Sequence, residues 1–155
     1  MPEFRPSDEG LDRAREILER ERRRLAGVVD GELALTGASS LPGALTGGDV
    51  DLHLRVDASA YETTVSALRT LYDVVRPEIW TTTLATFGVE GEDVGIAVTP
   101  IGSEHERRFT GAWRRLASKP DLLEQYNHMK RMHQGGDEAS SLAAKRSFFD
   151  RLYQR

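Results

Sequence analysis

The chain contains 155 residues, of which 39% are hydrophobic and 30% charged, and it carries a net charge of −4. This length suits a single domain over residues 1–155, and the composition excludes the intrinsically disordered class. No apolar run approaches the roughly 20 residues of a membrane span, and the polar residues 1–10 do not resemble a secretory signal. The acidic balance argues against an extended nucleic-acid surface, and the lack of cysteine excludes disulfides. We therefore expect a cytoplasmic globular protein.

The first predicted helix covers residues 8–28, where apolar residues recur on one stripe. It contains the densest basic run of the chain, Arg20 and residues 22–24. Glu16 and Glu19 precede arginines at i,i+4 spacing in this run. Such pairing favours a solvated, charged helix face over the alternative of a phosphate-binding patch.

The clearest predicted strand covers residues 49–56, where apolar and polar residues alternate. Its polar face carries Asp49, Asp51, His53 and Arg55. A shorter strand is predicted over residues 32–36. Between the two, residues 37–48 are rich in glycine, serine and threonine and predict a loop.

Farther along the chain, Ser59 and Glu62 form a possible capping box for a helix that ends near Tyr72. Two more strands are predicted over residues 81–87 and 93–99, with a turn between them.

Three helices are predicted in the last third. An apolar stripe over residues 109–116 marks the first, and Pro120 suits the first turn of the second. Residues 135–136, both glycine, would end that helix, and Asp137 would cap the last one. The order of elements predicts an α/β (α+β) fold: a mixed β-sheet flanked by helices, with a helical C-terminal segment.

Asp49 and Asp51 could carry chemistry. They lie two positions apart at the start of a strand, so both carboxylates face the same side. Two such carboxylates can hold Mg²⁺, which prefers oxygen ligands and takes its remaining ligands from water and phosphate. The glycines of the preceding loop let the backbone approach a phosphate closely. Loop N–H groups and the hydroxyls of Ser39 and Ser40 are suitable donors to a triphosphate.

This pattern also has a purely structural interpretation. The sequence contains five pairs of acidic residues spaced two apart, and only the Asp49/Asp51 pair opens an alternating strand directly after a Gly/Ser loop. The structural alternative is a tight turn that leads into a strand whose outer face is simply polar.

A resemblance to a known family favours the catalytic interpretation. The segment 37–51 resembles the nucleotidyltransferase signature, because Gly37 is followed by Ser39 and Ser40, then by a Pro-Gly pair and by Asp49-x-Asp51. Its residue pattern is also similar to that of GrpB-family proteins. The C-terminal third agrees. Residues 115–130 resemble a segment of that family that contains an Arg/Leu stretch, a Pro and then Tyr-x-x-x-Lys, and residues 145–149 resemble its closing Lys and aromatic element. The likeness spans roughly residues 35–150.

The resemblance implies a nucleotidyltransferase-like fold and Mg²⁺-dependent use of a nucleoside triphosphate, with an unknown acceptor. It implies that Asp49 and Asp51 bind the metal, that Gly37, Ser39 and Ser40 hold phosphate, and that Lys130 and Lys145 neutralise it. The residues that the resemblance assigns to phosphate or nucleotide binding are therefore Gly37, Ser39, Ser40, Lys130 and Lys145. For Lys130 and Lys145, exposure beside a packed aromatic residue is the alternative.

Two positions depart from the superfamily pattern. Ala38 follows the first glycine, where the superfamily usually has glycine or serine. A third carboxylate is expected on a later strand, but its position is occupied by Gly95. Asp93 is the candidate third catalytic carboxylate, and Glu92 is an alternative, if that strand begins early enough.

Three functions remain open at this point. The leading prediction is a nucleotidyltransferase that uses Asp49, Asp51 and Asp93. The alternative is a catalytically inactive nucleotide-binding or protein-interaction module on the same fold. A third is a metal-dependent phosphohydrolase in which His53 joins the aspartates, although His53 could equally be a polar, outward-facing residue.

Overall fold

The computed structural model describes residues 4–133 and 138–154. A five-stranded sheet in the order β2-β4-β7-β6-β5 forms its centre. These strands are β2 (Glu32–Thr36), β4 (Val50–Val56), β5 (Asp73–Val74), β6 (Ala85–Gly88) and β7 (Val94–Pro100). Two short strands, β1 (Arg5–Pro6) and β3 (Leu45–Thr46), pair antiparallel outside this sheet.

The sheet is mixed. β4 and β7 are parallel, in a register that sets Asp51 beside Gly95, and the pairs β2–β4, β6–β7 and β5–β6 are antiparallel. Because neighbouring residues in register point to the same face, side chains of β4 and β7 at matched positions share one side of the sheet.

Helices cover both faces of the sheet. They are α1 (Leu11–Leu25), α2 (Tyr61–Leu68), α3 (Glu104–Ser118), α4 (Pro120–Met132) and α5 (Glu138–Gln154). This arrangement confirms the predicted mixed sheet with flanking helices and a helical C-terminal segment. Among the residues described, no helix is both long enough and apolar enough to cross a membrane. The predicted helix-ending glycines at 135–136 and the predicted cap at Asp137 lie outside the described residues.

Two apolar clusters stabilise the molecule. The first buries the apolar face of β4 against α1, α2 and the other strands, and Leu52 and Leu54 are each 1% exposed there. The second joins the three C-terminal helices to the loop after β2. Its buried members are Leu41, Ala44, Leu116, Leu122, Tyr126, Phe148 and Leu152. The loop is therefore packed on helices that lie about 80 residues farther along the chain.

The predicted loop at 37–48 has more structure than its composition indicated. A 3-10 helix spans Ala38–Ser40, and β3 pairs with β1 near the N-terminus. Two-residue strands leave no periodic signal, so β1, β3 and β5 could not be found from sequence patterns.

Two local predictions were wrong. Ser59 and Glu62 do not form a capping box, because Ala60 occupies the N-cap of α2 and makes no side-chain hydrogen bond there. The strand predicted over residues 81–87 begins only at Ala85. Residues before it form a tight turn, in which the Thr81 N–H donates to the Leu84 carbonyl at 3.0 Å.

The arginines of α1 are more than a solvated face. Arg22 donates to the Leu33 carbonyl at 3.0–3.1 Å and so ties α1 to β2. Arg20 bridges Glu21, which is fully buried, and Glu92, two residues before β7. Their side chains therefore attach α1 to the sheet, an outcome that helical charge spacing does not predict.

Candidate active site

Asp51 lies on the face of β4 opposite the apolar cluster, because Val50 and Leu52 on either side of it point into that cluster. It is partly buried, whereas Asp49, one residue before the strand, is exposed. For Asp49, which lies outside the strand, the common orientation of the pair stays a prediction. Burial, reinforced by the negative charges of Asp49 and Asp93, raises the pKa of Asp51 to about 6.

Gly37 is in direct contact with Asp51. Its φ of 70° lies in the left-handed region, and a Cβ built at this position would lie 2.6 Å from Asp51 Oδ2. Any other residue would therefore suffer both backbone strain and a steric clash. The loop backbone reaches the carboxylate here, so the two ends of the 37–51 segment lie side by side.

The hydroxyls of Ser39 and Ser40 are used within the loop. Ser39 Oγ donates to the Asp49 carbonyl and lies 3.2 Å from Thr46 Oγ1. Ser40 Oγ donates to the Gly37 carbonyl at 2.7 Å. Because each hydroxyl has a single proton and these bonds use it, both serines shape the loop around Asp49.

Lys130 of α4 and Lys145 of α5 bring positive charge to the aspartates. Lys145, and to a smaller extent Lys130, lowers the pKa of Asp51 against the stronger effect of burial. The Lys130 ammonium lies 5.0 Å from the centre of the Phe4 ring and 5.5 Å from that of Tyr126. Burial and the neighbouring Lys145 lower the pKa of Lys130, an effect that Asp49 and Asp51 oppose. The tertiary structure thus gathers residues separated by almost 100 positions.

A third carboxylate is less well placed. β7 begins at Val94, so neither Glu92 nor Asp93 lies within the strand. Glu92 is bound to Arg20 at 2.8 Å. Asp93 is exposed, its carbonyl accepts the Val50 N–H at 3.0 Å, and its charge acts on Asp51. Asp93 therefore lies at the margin of the site.

Gly95 occupies the position beside Asp51 on β7, and a Cβ there would lie 3.5 Å from Asp51 Oδ1. Within residues 4–133 and 138–154, no group of three His, Asp or Glu side chains could hold a metal ion. Asp49 and Asp51 are therefore the protein ligands that a Mg²⁺ ion would have here, and such an ion often takes only one or two ligands from protein and the rest from water and phosphate. A cation held by protein alone would lack ligands here.

His53 is not part of this site. It is 3% exposed, its Nε2 lies 2.7 Å from Thr99 Oγ1, and its ring packs against Phe109 of α3 at 5.5 Å. Burial and the adjacent Arg55 lower its pKa to about 4. The prediction of a polar, outward-facing residue was wrong, because α3 covers this half of the strand face.

Sequence patterns did not reveal two features near the site. Phe4, in a polar N-terminal segment, contacts the Lys130 ammonium. Asn127 connects α4 to the loop: its Oδ1 accepts the Leu45 N–H and its Nδ2 donates to the Gly43 carbonyl, both at 2.9 Å. Adjacency to Tyr126 was the one available signal for Asn127, and nothing in the sequence marks Phe4.

Two cavities lie near these elements. One of about 330 Å³ borders the loop from the α1 side and is lined by Ser39, Gly47, Gly48 and Arg13 among others. A larger one of about 520 Å³ lies between α4 and the end of α5, beside Lys119 and Gln125. Neither includes Asp49 or Asp51. The carboxylates lie instead on the sheet face toward the C-terminal helices.

Comparison with known proteins identifies proteins that are similar to this chain. No family model matches it. It is 30% identical over 125 residues to a UPF0157 protein of Vibrio cholerae, and this alignment covers 79% of the chain and 66% of the Vibrio protein.

Solved structures show the same fold. GrpB of Enterococcus faecalis superposes with a TM-score of 0.63 at 11% identity, covering 90% of this chain and 94% of that one. Cid1 poly(U) polymerase with MgGTP bound superposes with a TM-score of 0.56 at 17% identity, covering 81% of this chain and 42% of the polymerase. The chain is thus similar in sequence to this UPF0157 protein, about two thirds of whose length it spans, and it shares the fold of GrpB and of Cid1 poly(U) polymerase.

Proposed function

We propose that this protein binds a nucleoside triphosphate with Mg²⁺ and transfers its nucleotidyl group to an acceptor that is still unidentified. One observation carries the proposal. Two neighbouring aspartates, beside a loop whose Gly37 touches one of them, lie within electrostatic range of Lys130 and Lys145 from two different helices. Carboxylates for a metal and ammonium groups for phosphate are thus combined at one place.

Asp49 and Asp51 are the residues that would hold Mg²⁺. When bound, the ion neutralises charge on the phosphates during an in-line displacement. Asp51 must be ionised for this role, so binding should strengthen as the pH rises through about 6. The MgGTP complex of the similarly folded Cid1 polymerase supports this assignment.

We assign phosphate binding to the backbone of the loop and to the two lysines. The N–H groups of Ala38 and Ser39, which open the 3-10 helix Ala38–Ser40, are the backbone donors we assign to phosphate, since the Ser40 N–H already donates to the Gly37 carbonyl at 3.1 Å. Gly37 allows close approach, and Ser39 and Ser40 fix the loop's shape. Lys130 and Lys145 supply the positive charge.

The reaction itself needs a proton acceptor. The hydroxyl oxygen of the acceptor substrate forms a bond to the α-phosphorus of the nucleotide, and the bond from that phosphorus to the pyrophosphate leaving group breaks. The proton of the substrate's hydroxyl moves to a carboxylate. We assign that step to Asp93, which is exposed at the margin of the site. We also propose a cytoplasmic location, where nucleoside triphosphates and Mg²⁺ are abundant.

Calorimetry with ATP and GTP, each with and without Mg²⁺, tests this function. We expect binding to require Mg²⁺ and to weaken at least roughly 30-fold in Asp51→Asn, since a metal ligand is lost. The matched control is Asp57→Asn, an exposed aspartate just beyond the same strand. Equal affinity with and without metal would contradict the proposal. Release of inorganic phosphate rather than pyrophosphate would indicate a phosphohydrolase.

A second candidate is a nucleotide-binding or protein-interaction module without turnover. Gly95 favours it, because the position nearest Asp51 on the neighbouring strand carries no carboxylate. It predicts Mg²⁺-dependent nucleotide binding but no pyrophosphate release across a panel of hydroxyl acceptors. Steady turnover that disappears in an Asp49→Asn/Asp51→Asn double variant would exclude it.

A further inference from the structure

The hydroxyl of Tyr126 is buried without a hydrogen-bond partner among the residues that the structure describes. Tyr126 is 0% exposed. Two other buried tyrosines differ: the Tyr72 hydroxyl donates to Glu21 Oε1 at 2.6 Å, and the Tyr61 hydroxyl lies 3.4 Å from the Thr81 carbonyl. A buried hydroxyl without a partner destabilises a protein, and phenylalanine would avoid that penalty.

Tyr126 lies between the loop and the C-terminal helices. Its ring packs against Trp113, Phe148 and Phe149, with ring centres 5.6–6.1 Å away. The next residue, Asn127, is bonded to the loop through Gly43 and Leu45. The side chain is thus held rigidly beside the loop proposed to carry phosphate.

The charged groups of the proposed site surround the same side chain. Lys130, one helical turn farther along α4, places its ammonium 5.5 Å from the centre of the Tyr126 ring. Burial raises the pKa of the hydroxyl, the negative charges of Asp49 and Asp51 raise it further, and the group therefore stays protonated and can donate. A donor at this position lies within electrostatic range of both aspartates.

We infer that the Tyr126 hydroxyl donates a hydrogen bond to a phosphate oxygen of the bound triphosphate. This inference rests on the proposed function. It assigns to Tyr126 a ligand contact that explains why a buried position holds a hydroxyl without a protein partner, since binding sites retain groups that are unfavourable for folding. The ligand class is a polyphosphate, because Lys130 and Lys145 converge on the same region.

The test compares Tyr126→Phe with the wild type in two binding experiments, one with Mg²⁺-ATP and one with Mg²⁺-tripolyphosphate. We expect the Kd to rise roughly 10- to 100-fold for both ligands, as is typical of losing one hydrogen bond to a charged group. The Tm of the ligand-free variant should equal or exceed that of the wild type. The matched control is Tyr61→Phe, which removes a hydroxyl in the first apolar cluster, on the other side of the sheet from Asp51. It should leave both Kd values unchanged.

Three results would overturn the inference while leaving the proposed function intact. The first is an unchanged affinity of Tyr126→Phe for both ligands, and the second is a rise in Kd for ATP but not for tripolyphosphate. The third is a drop of several degrees in the Tm of the ligand-free variant. The last would show that the hydroxyl has a structural role. If the wild type binds neither ligand, the proposed function and this inference both fail.

Discussion

The two halves of the polar face of β4 differ in how completely their charges are satisfied. At the His53/Arg55 end, α3 covers the strand. Arg55 binds Glu106 at 2.7 Å and Glu32 at 3.2 Å, while His53 pairs with Thr99. At the Asp49/Asp51 end, the carboxylates have no ion pair within 4 Å among the described residues, although two lysines lie within electrostatic range. The same alternation of residues thus produces one half that is covered by α3 and ion-paired, and another half whose carboxylates have no direct ion pair among the described residues. Functional sites often contain charged groups in such an environment.

The largest effect should come from the closed half. Arg55→Ala leaves Glu106, which is 6% exposed, without its main partner. We expect a loss of about 3 kcal/mol in the free energy of unfolding, because an unpaired charge remains buried. Urea denaturation measures this loss. Arg131→Ala, which removes an exposed partner of Glu124, should change stability by less than about 0.5 kcal/mol. Equal effects of the two variants would contradict the comparison.

Asp51→Asn should act in the opposite direction. Burial and like charges disfavour the ionised carboxylate, so removing its charge is expected to raise the free energy of unfolding at pH 8 by about 2 kcal/mol. The same variant should lose Mg²⁺-dependent nucleotide binding. Asp57→Asn serves again as the control and should be neutral. A variant that loses both binding and stability would show that Asp51 supports the fold.

The pH dependence should separate Asp51 from His53. The native pKa of Asp51, about 6, lies above its ordinary value, so the native state binds more protons between about pH 4 and 6 and gains stability as the pH falls. His53 has a native pKa of about 4, below its ordinary value, so its contribution is lost as the pH falls from 6.5 toward 4. The two slopes oppose each other in the wild type.

Asp51→Asn removes one of these slopes. Its stability advantage over the wild type should therefore shrink by about 1 kcal/mol per pH unit below pH 6 and disappear near pH 4. Urea denaturation of both proteins at pH 4.5, 5.5, 7 and 8 measures this difference. An advantage that stays constant over that range would be inconsistent with a raised pKa at Asp51.

Much of the fold follows from local patterns. The alternation in residues 49–56 predicted β4 to within one residue, and the apolar stripe at 109–116 predicted the helix that forms α3. These elements are long enough to show a period, and each buries one face, so the pattern carries the information. The capping box at Ser59 failed because a 3-10 turn precedes α2, and sequence alone does not distinguish the two geometries.

The candidate site was only partly accessible from the sequence. Asp49, Asp51 and Gly37 lie in one segment, so their proximity could be predicted from strand geometry and from the family resemblance. Lys130 and Lys145 could be named as phosphate ligands only through that resemblance, because no local rule connects a helix in the last third to a strand near residue 50. Ser39 and Ser40 were predicted as phosphate donors from their side chains, whose protons the structure uses inside the loop.

The sequence by itself determined which residues alternate, which glycines allow a tight loop and which strand carries the aspartate pair, since these properties depend on neighbours along the chain. Only the tertiary structure decided that α3 buries His53, that Asn127 binds the loop, and that Tyr126 keeps a hydroxyl without a partner among the described residues. Each of these outcomes depends on elements far apart in the chain. The burial of a side chain and the charges around it depend on which elements cover that part of the surface. The periodicity of a sequence does not record which helix will cover a given strand.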